Sequence, residues 1–160
     1  AKPVEAIDQA EEGQILVIDA GGREPAVWGE MATMSSRQRK LGGVVIDGAI
    51  RDTMNIREME FPAFARIVTP VAGEPKGQGK IGVPLNIGGQ YIRTGDWVVG
   101  DDDGVVVIPQ EKLVEVGNRA QAVLEEEERK MAEIEEGSTL GKVSELTRWE
   151  QIAREEEKDA

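Results

Sequence analysis

Two short runs of consecutive apolar residues restrict what this chain can fold into. Ile15-Leu16-Val17-Ile18 and Val44-Val45-Ile46 lack the alternation of a strand with one wet face. Runs of this kind suit strands covered on both faces, which belong to parallel sheets flanked by helices. Gly21-Gly22 follows the first run and Gly42-Gly43 precedes the second. Between them, residues 25–40 open on Pro25, which suits the first turn of a helix, and place Val27, Met31 and Met34 at helical spacing. Residues 14–47 therefore read as a βαβ unit with parallel strands and a right-handed crossover.

The flanking segments extend this α/β pattern. Residues 1–12 read as a short helix with Val4, Ile7 and Ala10 on one face. After the second run, Asp52 or Thr53 can cap a short helix with Ile56 and Met59 inward. Residues 63–69 are a third strand candidate, 70–80 a Pro/Gly-rich loop, and 81–87, 90–93 and 96–99 further short strands. Asp103-Gly104 signals a hairpin turn into a strand at 105–108. From Gln110 the chain becomes a long amphipathic helix with Val114, Ala120, Val123, Leu124, Met131 and Ile134 as its apolar stripe, ended by Gly137. A last helix is expected over about 143–157. The expected organisation is one 160-residue domain, with a core at 12–110 and a C-terminal helical arm at 111–160.

Two absences narrow the chemistry. The chain has no Cys and no His, which excludes thiol nucleophiles, disulfides, imidazole bases and His- or Cys-ligated zinc. Any bound metal must take oxygen ligands, which favours Mg²⁺, Mn²⁺ or Ca²⁺. A net charge of −12 argues against binding nucleic acid, and 4% aromatic residues offer no platform for stacking bases. No apolar run reaches the roughly 18–20 residues of a membrane span, and the first residues have no signal-peptide core, so a cytoplasmic protein is expected.

Two motifs read most simply as structure. Gly77-Gln78-Gly79-Lys80-Ile81-Gly82 has the spacing of a dinucleotide fingerprint, but no strand precedes it and no helical period follows. Asp101-Asp102-Asp103-Gly104 lacks the spaced ligands of a calcium loop and fits a hairpin turn.

Residues 19–52 carry the functional signal. A parallel βαβ unit places its ligand site beyond the carboxyl ends of its strands. The helix starting near Gly29-Glu30-Met31-Ala32 would offer backbone N–H groups to an anion. Arg51 can grip a carboxylate with two parallel hydrogen bonds, and Asp52 can ligate a hard cation. A carboxylate-bearing substrate chelated to Mg²⁺ would use all three features. Spacing alone leaves open that Asp52 is only a helix cap and Arg51 only a surface ion-pair partner.

The blocks Gly29-Glu30-Met31-Ala32, Gly42-Gly43-Val44-Val45-Ile46-Asp47-Gly48-Ala49-Ile50-Arg51-Asp52 and Pro62-Ala63-Phe64-Ala65-Arg66 resemble the family containing 4-hydroxy-4-methyl-2-oxoglutarate aldolase and the regulator of ribonuclease E activity A. Gly95-Asp96 and the run from Asp101 to Pro109 resemble its later signature. The resemblance covers nearly all of 12–140. It implies a swivelling β/β/α domain, assembled as homotrimers or homohexamers with sites between subunits. It also implies a lyase dependent on Mg²⁺ or Mn²⁺ that cleaves a 4-hydroxy-2-oxo acid to pyruvate, often with oxaloacetate decarboxylase activity.

In the family's aldolases an acid precedes the Arg-Asp pair by twenty intervening residues, a position held here by Glu30. The resemblance then implies that Arg51 holds the pyruvate moiety and its enolate, and that Asp52 is the direct metal ligand. Glu30 would orient a metal-bound water as proton shuttle, and the Met31 and Ala32 N–H groups would hold the substrate carboxylate. Glu127, from a neighbouring subunit, would support the metal's water shell. Asn55 stands where some aldolases carry a further acid, which points to a different substrate or metal preference. The family's strands and helix before the segment matching 1–12 are expected to be missing here. The alternative from the same resemblance is a non-catalytic, protein-binding regulator. Members of that kind lose the acid at the position of Asp52.

Overall fold

The computed structural model describes residues 2–74 and 76–145. The chain divides into two compact units, Ala1–Gln110 and Glu111–Ala160. The first is a mixed α/β unit with elements in the order α1 (Lys2–Gln9), β1 (Ile15–Asp19), β2 (Ala26–Trp28), α2 (Glu30–Gln38), β3 (Gly43–Ile50), α3 (Thr53–Glu58) and β4 (Ala63–Val68). Four short strands follow: β5 (Leu85–Ile87), β6 (Gln90–Ile92), β7 (Trp97–Asp101) and β8 (Gly104–Ile108).

The sheet is organised on β3, which is bonded along both edges. One edge takes β4, from Val44 opposite Ala63 to Ile50 opposite Val68. The other takes β1, from Gly43 opposite Ile15 to Asp47 opposite Asp19, and then β2, with Ala26 opposite Ala49 and Trp28 opposite Ile50. All three pairings are parallel, and the one between β1 and β3 is the pairing that the apolar runs predict. Val44, Ile46 and Ile50 of β3 join Ile7 and Ala10, Trp28, Leu41, Ile56 and Phe61 in one buried cluster. Ile7 and Ala10 face inward as expected, whereas Val4 is exposed and Met59 half-buried.

The stretch 25–40 departs from the expectation of a single helix. Ala26–Trp28 is a strand with Ala26 and Trp28 buried, and the helix starts only at Glu30. Its buried residues are Thr33 and Ser36, while Met31 and Met34 lie exposed. Burying these hydroxyls carries little penalty because each donates to a carbonyl one turn back: Thr33 Oγ1 to Gly29 O at 3.0 Å and Ser36 Oγ to Ala32 O at 2.9 Å. Of the expected strand at 81–87, only Leu85–Ile87 forms. The Gly-rich stretch 77–82 opens no helix.

Strands β5 and β6 form one antiparallel pair, β7 and β8 another. The second turns at Asp102-Asp103, with Asp101 Oδ1 accepting from Asp103 N at 2.9 Å and Gly104 N at 3.3 Å. Its backbone lies on the Phe64 ring: a Cβ at Gly100 would stand 2.6 Å from a ring carbon. Asp96 ties the two ends of this hairpin by accepting from Arg93 N at 2.8 Å and Gln110 N at 3.2 Å.

In the second unit, a 3₁₀ turn at Gln110–Lys112 leads into α4 (Leu113–Glu135), and Gly137, at φ 99°, follows its end. A short α5 (Leu140–Val143) is capped by Thr139. The helix expected over 143–157 does not start there: α5 ends at Val143 and Ser144-Glu145 form a turn, while 146–157 lie outside the described residues. The apolar stripe of α4 is exposed rather than buried.

Two predictions follow from this packing. A Cβ at Gly48 would lie 2.5 Å from the Ala20 Cβ, so Gly48→Ala should cost about 1–3 kcal/mol in urea unfolding, with Ala20→Gly recovering most of it. The Asp96 carboxyl is held below the ordinary value of 3.8, chiefly by the Arg93 N–H. Its contribution is complete above that unfolded value and is lost as pH falls through the lower folded one. Asp96→Asn should therefore lower the urea midpoint at neutral pH and flatten its decline in acid.

Candidate active site

Parallel pairing brings the ends of β2 and β3 to the same level. Trp28 lies opposite Ile50, and one rung further the Arg51 N–H donates to the Trp28 carbonyl at 3.0 Å. Gly29 and Arg51 thus leave the sheet side by side, where α2 and α3 begin. This is the carboxyl end of parallel strands, where open α/β sheets bind ligands.

Asp52 occupies the position before α3 but does not cap it. Its backbone is left-handed, at φ 56° and ψ 35°, and its side chain makes no capping bond to α3. The carboxylate turns to the other helix instead. Oδ2 accepts from Glu30 N, the first residue of α2, at 3.1 Å, and Oδ1 accepts from the Arg51 guanidinium at 3.3 Å. The left-handed backbone costs an L-residue about 1 kcal/mol, although Asp adopts it more readily than most. A carboxylate at a helix N-terminus regains a similar amount, about 0.3–1 kcal/mol.

Gly29 provides the space. A Cβ there would meet Asp52 Oδ2 at 2.7 Å and Arg51 Cγ at 3.0 Å. The φ of Gly29 is −169°, extended backbone open to any residue, so the requirement is one of volume. With the Glu30 N–H occupied, Met31 and Ala32 contribute the remaining first-turn N–H groups, which have no acceptor inside the helix. The Met31 side chain is exposed. The Glu30 side chain is half-buried and forms no ion pair among the described residues. Arg51 and Asp52 side chains are 42% and 25% exposed, so the pair is open to solvent.

An open groove of about 1020 Å³ lies elsewhere in the first unit, along α1, β1, residues 78–83 and 92–98, and is lined by none of these site residues. Of its carboxylates Asp19, Glu24 and Asp96, the first and last are engaged in turn hydrogen bonds.

Comparison with known proteins gives this geometry a family. The RraA-like family, described as Aldolase/RraA, matches residues 1–107. The chain belongs to the RraA-like family. A protein of Halalkalibacterium halodurans, provisionally named 4-hydroxy-4-methyl-2-oxoglutarate aldolase, is 37% identical over 134 residues, covering 81% of this chain and 64% of the relative. An uncharacterised Pseudomonas syringae protein of known structure matches with a TM-score of 0.81 at 35% identity, over 89% of this chain and 72% of that one. The RNA-processing inhibitor RraA of Thermus thermophilus matches with a TM-score of 0.61 at 30% identity, over 68% of each chain. The chain spans less than two thirds of the length of the curated relatives it matches.

Of the residues singled out in this RraA-like sequence, Glu30, Met31, Ala32, Arg51 and Asp52 come together. Glu127 lies on α4 in the second unit. Its neighbours along the helix are informative. Glu125 accepts from Gln121 at 2.9 Å and Glu126 pairs with Lys130 at 2.5 Å, whereas Glu127 has no polar partner among the described residues. Spacings of three, four and seven put Glu127 on the face of Ala120, Val123, Leu124, Met131 and Ile134.

No group of three or more metal-binding side chains occurs among the described residues. A hard cation with most of its water shell needs only one or two protein carboxylates, so the donor set at Asp52 fits Mg²⁺ and does not fit a fully caged ion. No described helix is long and apolar enough to cross a membrane.

Reading the sequence missed Trp28 and Thr33, which are buried beneath the site and joined by a hydrogen bond of 2.9 Å. Their five-residue separation spans a strand-to-helix junction and belongs to no helical or strand period.

The fit around Gly29 can be tested by a double-mutant cycle. Gly29→Ala should cost about 1–3 kcal/mol in urea unfolding, while in an Asp52→Gly background the penalty should fall by at least about 0.5 kcal/mol. Strict additivity would show that the predicted Cβ–carboxylate conflict does not occur.

Proposed function

We propose that this protein is a divalent-metal-dependent carbon–carbon lyase that cleaves a 4-hydroxy-2-oxo acid to pyruvate and also decarboxylates oxaloacetate. The observation carrying this reading is the Asp52 carboxylate, held in a left-handed backbone between the Arg51 guanidinium and the first N–H of α2. Strain at such a residue is a reason to look for function. The aldolase name of the Halalkalibacterium relative supports the substrate class.

Each residue then has a chemical task. Asp52 would hold Mg²⁺ or Mn²⁺, which, when bound, supplies positive charge at the 2-oxo group. The Met31 and Ala32 N–H groups receive the substrate carboxylate at the helix N-terminus. Glu30 removes the proton of the 4-hydroxyl, directly or through one water. The 4-oxygen then becomes the carbonyl of the departing fragment as the C3–C4 bond breaks; the bond's electron pair forms the C2=C3 double bond, and the Arg51 guanidinium stabilises the resulting pyruvate enolate oxygen. Returning the proton to C3 completes pyruvate. Decarboxylation of oxaloacetate produces the same enolate with CO₂ as the leaving group. No step requires His or Cys.

The open side of the site is closed, in this reading, by a neighbouring copy in a homotrimer or homohexamer. Glu127 from that copy would face the water shell of the metal, with its lack of a partner on α4 as support. The alternative is a protein-binding regulator, and the RNA-processing inhibitor among the structural relatives favours it.

Pyruvate release from oxaloacetate, corrected for the metal-only background, separates the readings. The lyase reading expects turnover that requires Mg²⁺ or Mn²⁺ and stops with EDTA. Asp52→Asn keeps an acceptor for the Glu30 N–H but loses the charge, and should lower kcat/KM by about 10²-fold or more. Arg51→Ala should do the same, and Glu30→Ala should chiefly lower kcat. Unchanged turnover in Asp52→Asn would overturn the mechanism.

A further inference from the structure

Beneath the site, Trp28 and Thr33 close a circuit of hydrogen bonds that reaches both strand ends. The Trp28 indole N–H donates to Thr33 Oγ1 at 2.9 Å, and that hydroxyl donates to the Gly29 carbonyl at 3.0 Å. The Thr33 backbone N–H meets the same carbonyl at 3.1 Å. The Trp28 carbonyl accepts from Arg51 N at 3.0 Å. Trp28 is 2% exposed and Thr33 0%, so neither can exchange these partners for water.

We propose that the Trp28–Thr33–Gly29 relay is a positioning device that sets the first turn of α2 against Asp52. Gly29, with no side chain, has little to hold its peptide in place except what grips its carbonyl. The hydroxyl relay grips it from the buried side and thereby aims the next N–H, that of Glu30, at the Asp52 carboxylate. The Met31 and Ala32 N–H groups belong to the next two peptides of the same turn, which continue from the one so fixed. Trp28 therefore governs both halves of the site: its carbonyl fixes where Arg51 leaves the sheet, and its indole fixes where α2 begins. Thr33 suits the task because its hydroxyl both accepts and donates. Valine has the same shape but can do neither.

The proposal concerns the geometry of the site. Its catalytic consequence rests on the lyase reading. Amide hydrogen exchange of the full chain tests it directly through the Glu30 N–H. In Thr33→Val and in Trp28→Phe, protection of that amide should fall about tenfold or more, while the amides of β3 stay unchanged. Thr33→Ser restores the hydroxyl and should keep protection within about twofold of the parent. The double variant should be no worse than either single one, because both break one chain of contacts. If Thr33→Val fails to fold, Trp28→Phe carries the same readout without changing Thr33.

Unchanged Glu30 protection in a folded Trp28→Phe protein, or a Thr33→Ser protein behaving like Thr33→Val, would overturn the relay. Oxaloacetate turnover gives the second readout: kcat should fall about tenfold in Thr33→Val and recover in Thr33→Ser. A parent protein without metal-dependent turnover, but with the expected exchange pattern, would refute the lyase reading and leave the relay standing.

Discussion

The two-sided pairing of β3 is the constraint from which the site follows. A strand bonded along both edges cannot shift register without breaking ladders on both sides at once. In this protein such a shift would also turn Val44 and Ile46 out of the core. Because β2 occupies the last two registers of one edge, the chain must leave β2 and β3 at adjacent points. Gly29 and Arg51 are neighbours for that reason. The arrangement at 29–52 depends on a sheet whose alignment is fixed by apolar burial well below it.

At that exit point two opposing local preferences are reconciled. Asp52 adopts a left-handed backbone at some cost, and its carboxylate gives α2 an anion that the helix start attracts. Arg51 adds a positive charge at the same carboxylate. The three groups are mutually supporting but incompletely covered, which suits a site that must exchange ligands. A fully buried Arg–Asp pair would be harder to open, since separating buried charges costs far more than separating partly exposed ones.

Much of this arrangement is legible in the sequence, for identifiable reasons. The parallel strands show as unbroken apolar runs, and the carboxyl-end rule leads to Arg51 and Asp52 without a structure. The three-residue strand Ala26–Trp28 is less legible because it is too short to show a period, and Pro25 before it imitates a helix start. Helix α2 misleads for a different reason. Its buried positions are Thr33 and Ser36, whose hydroxyls are satisfied within the helix, so a search for apolar periodicity selects the exposed Met31 and Met34 instead. The destination of the Asp52 side chain is also illegible: spacing points to a cap on α3, whereas the carboxylate turns to the start of α2.

The long helix α4 extends the same logic to the second unit. A stripe of Val123, Leu124, Met131 and Ile134 left exposed along a helix is unfavourable in isolation, and the carboxylates around it confer solubility but no packing. An acid placed on such a stripe is worse still for simple burial, because covering it would strand a charge. Glu127 occupies that position while its neighbours Glu125 and Glu126 have partners of their own. An apolar face on which Glu127 has no partner among the described residues is poorly suited to a purely hydrophobic contact.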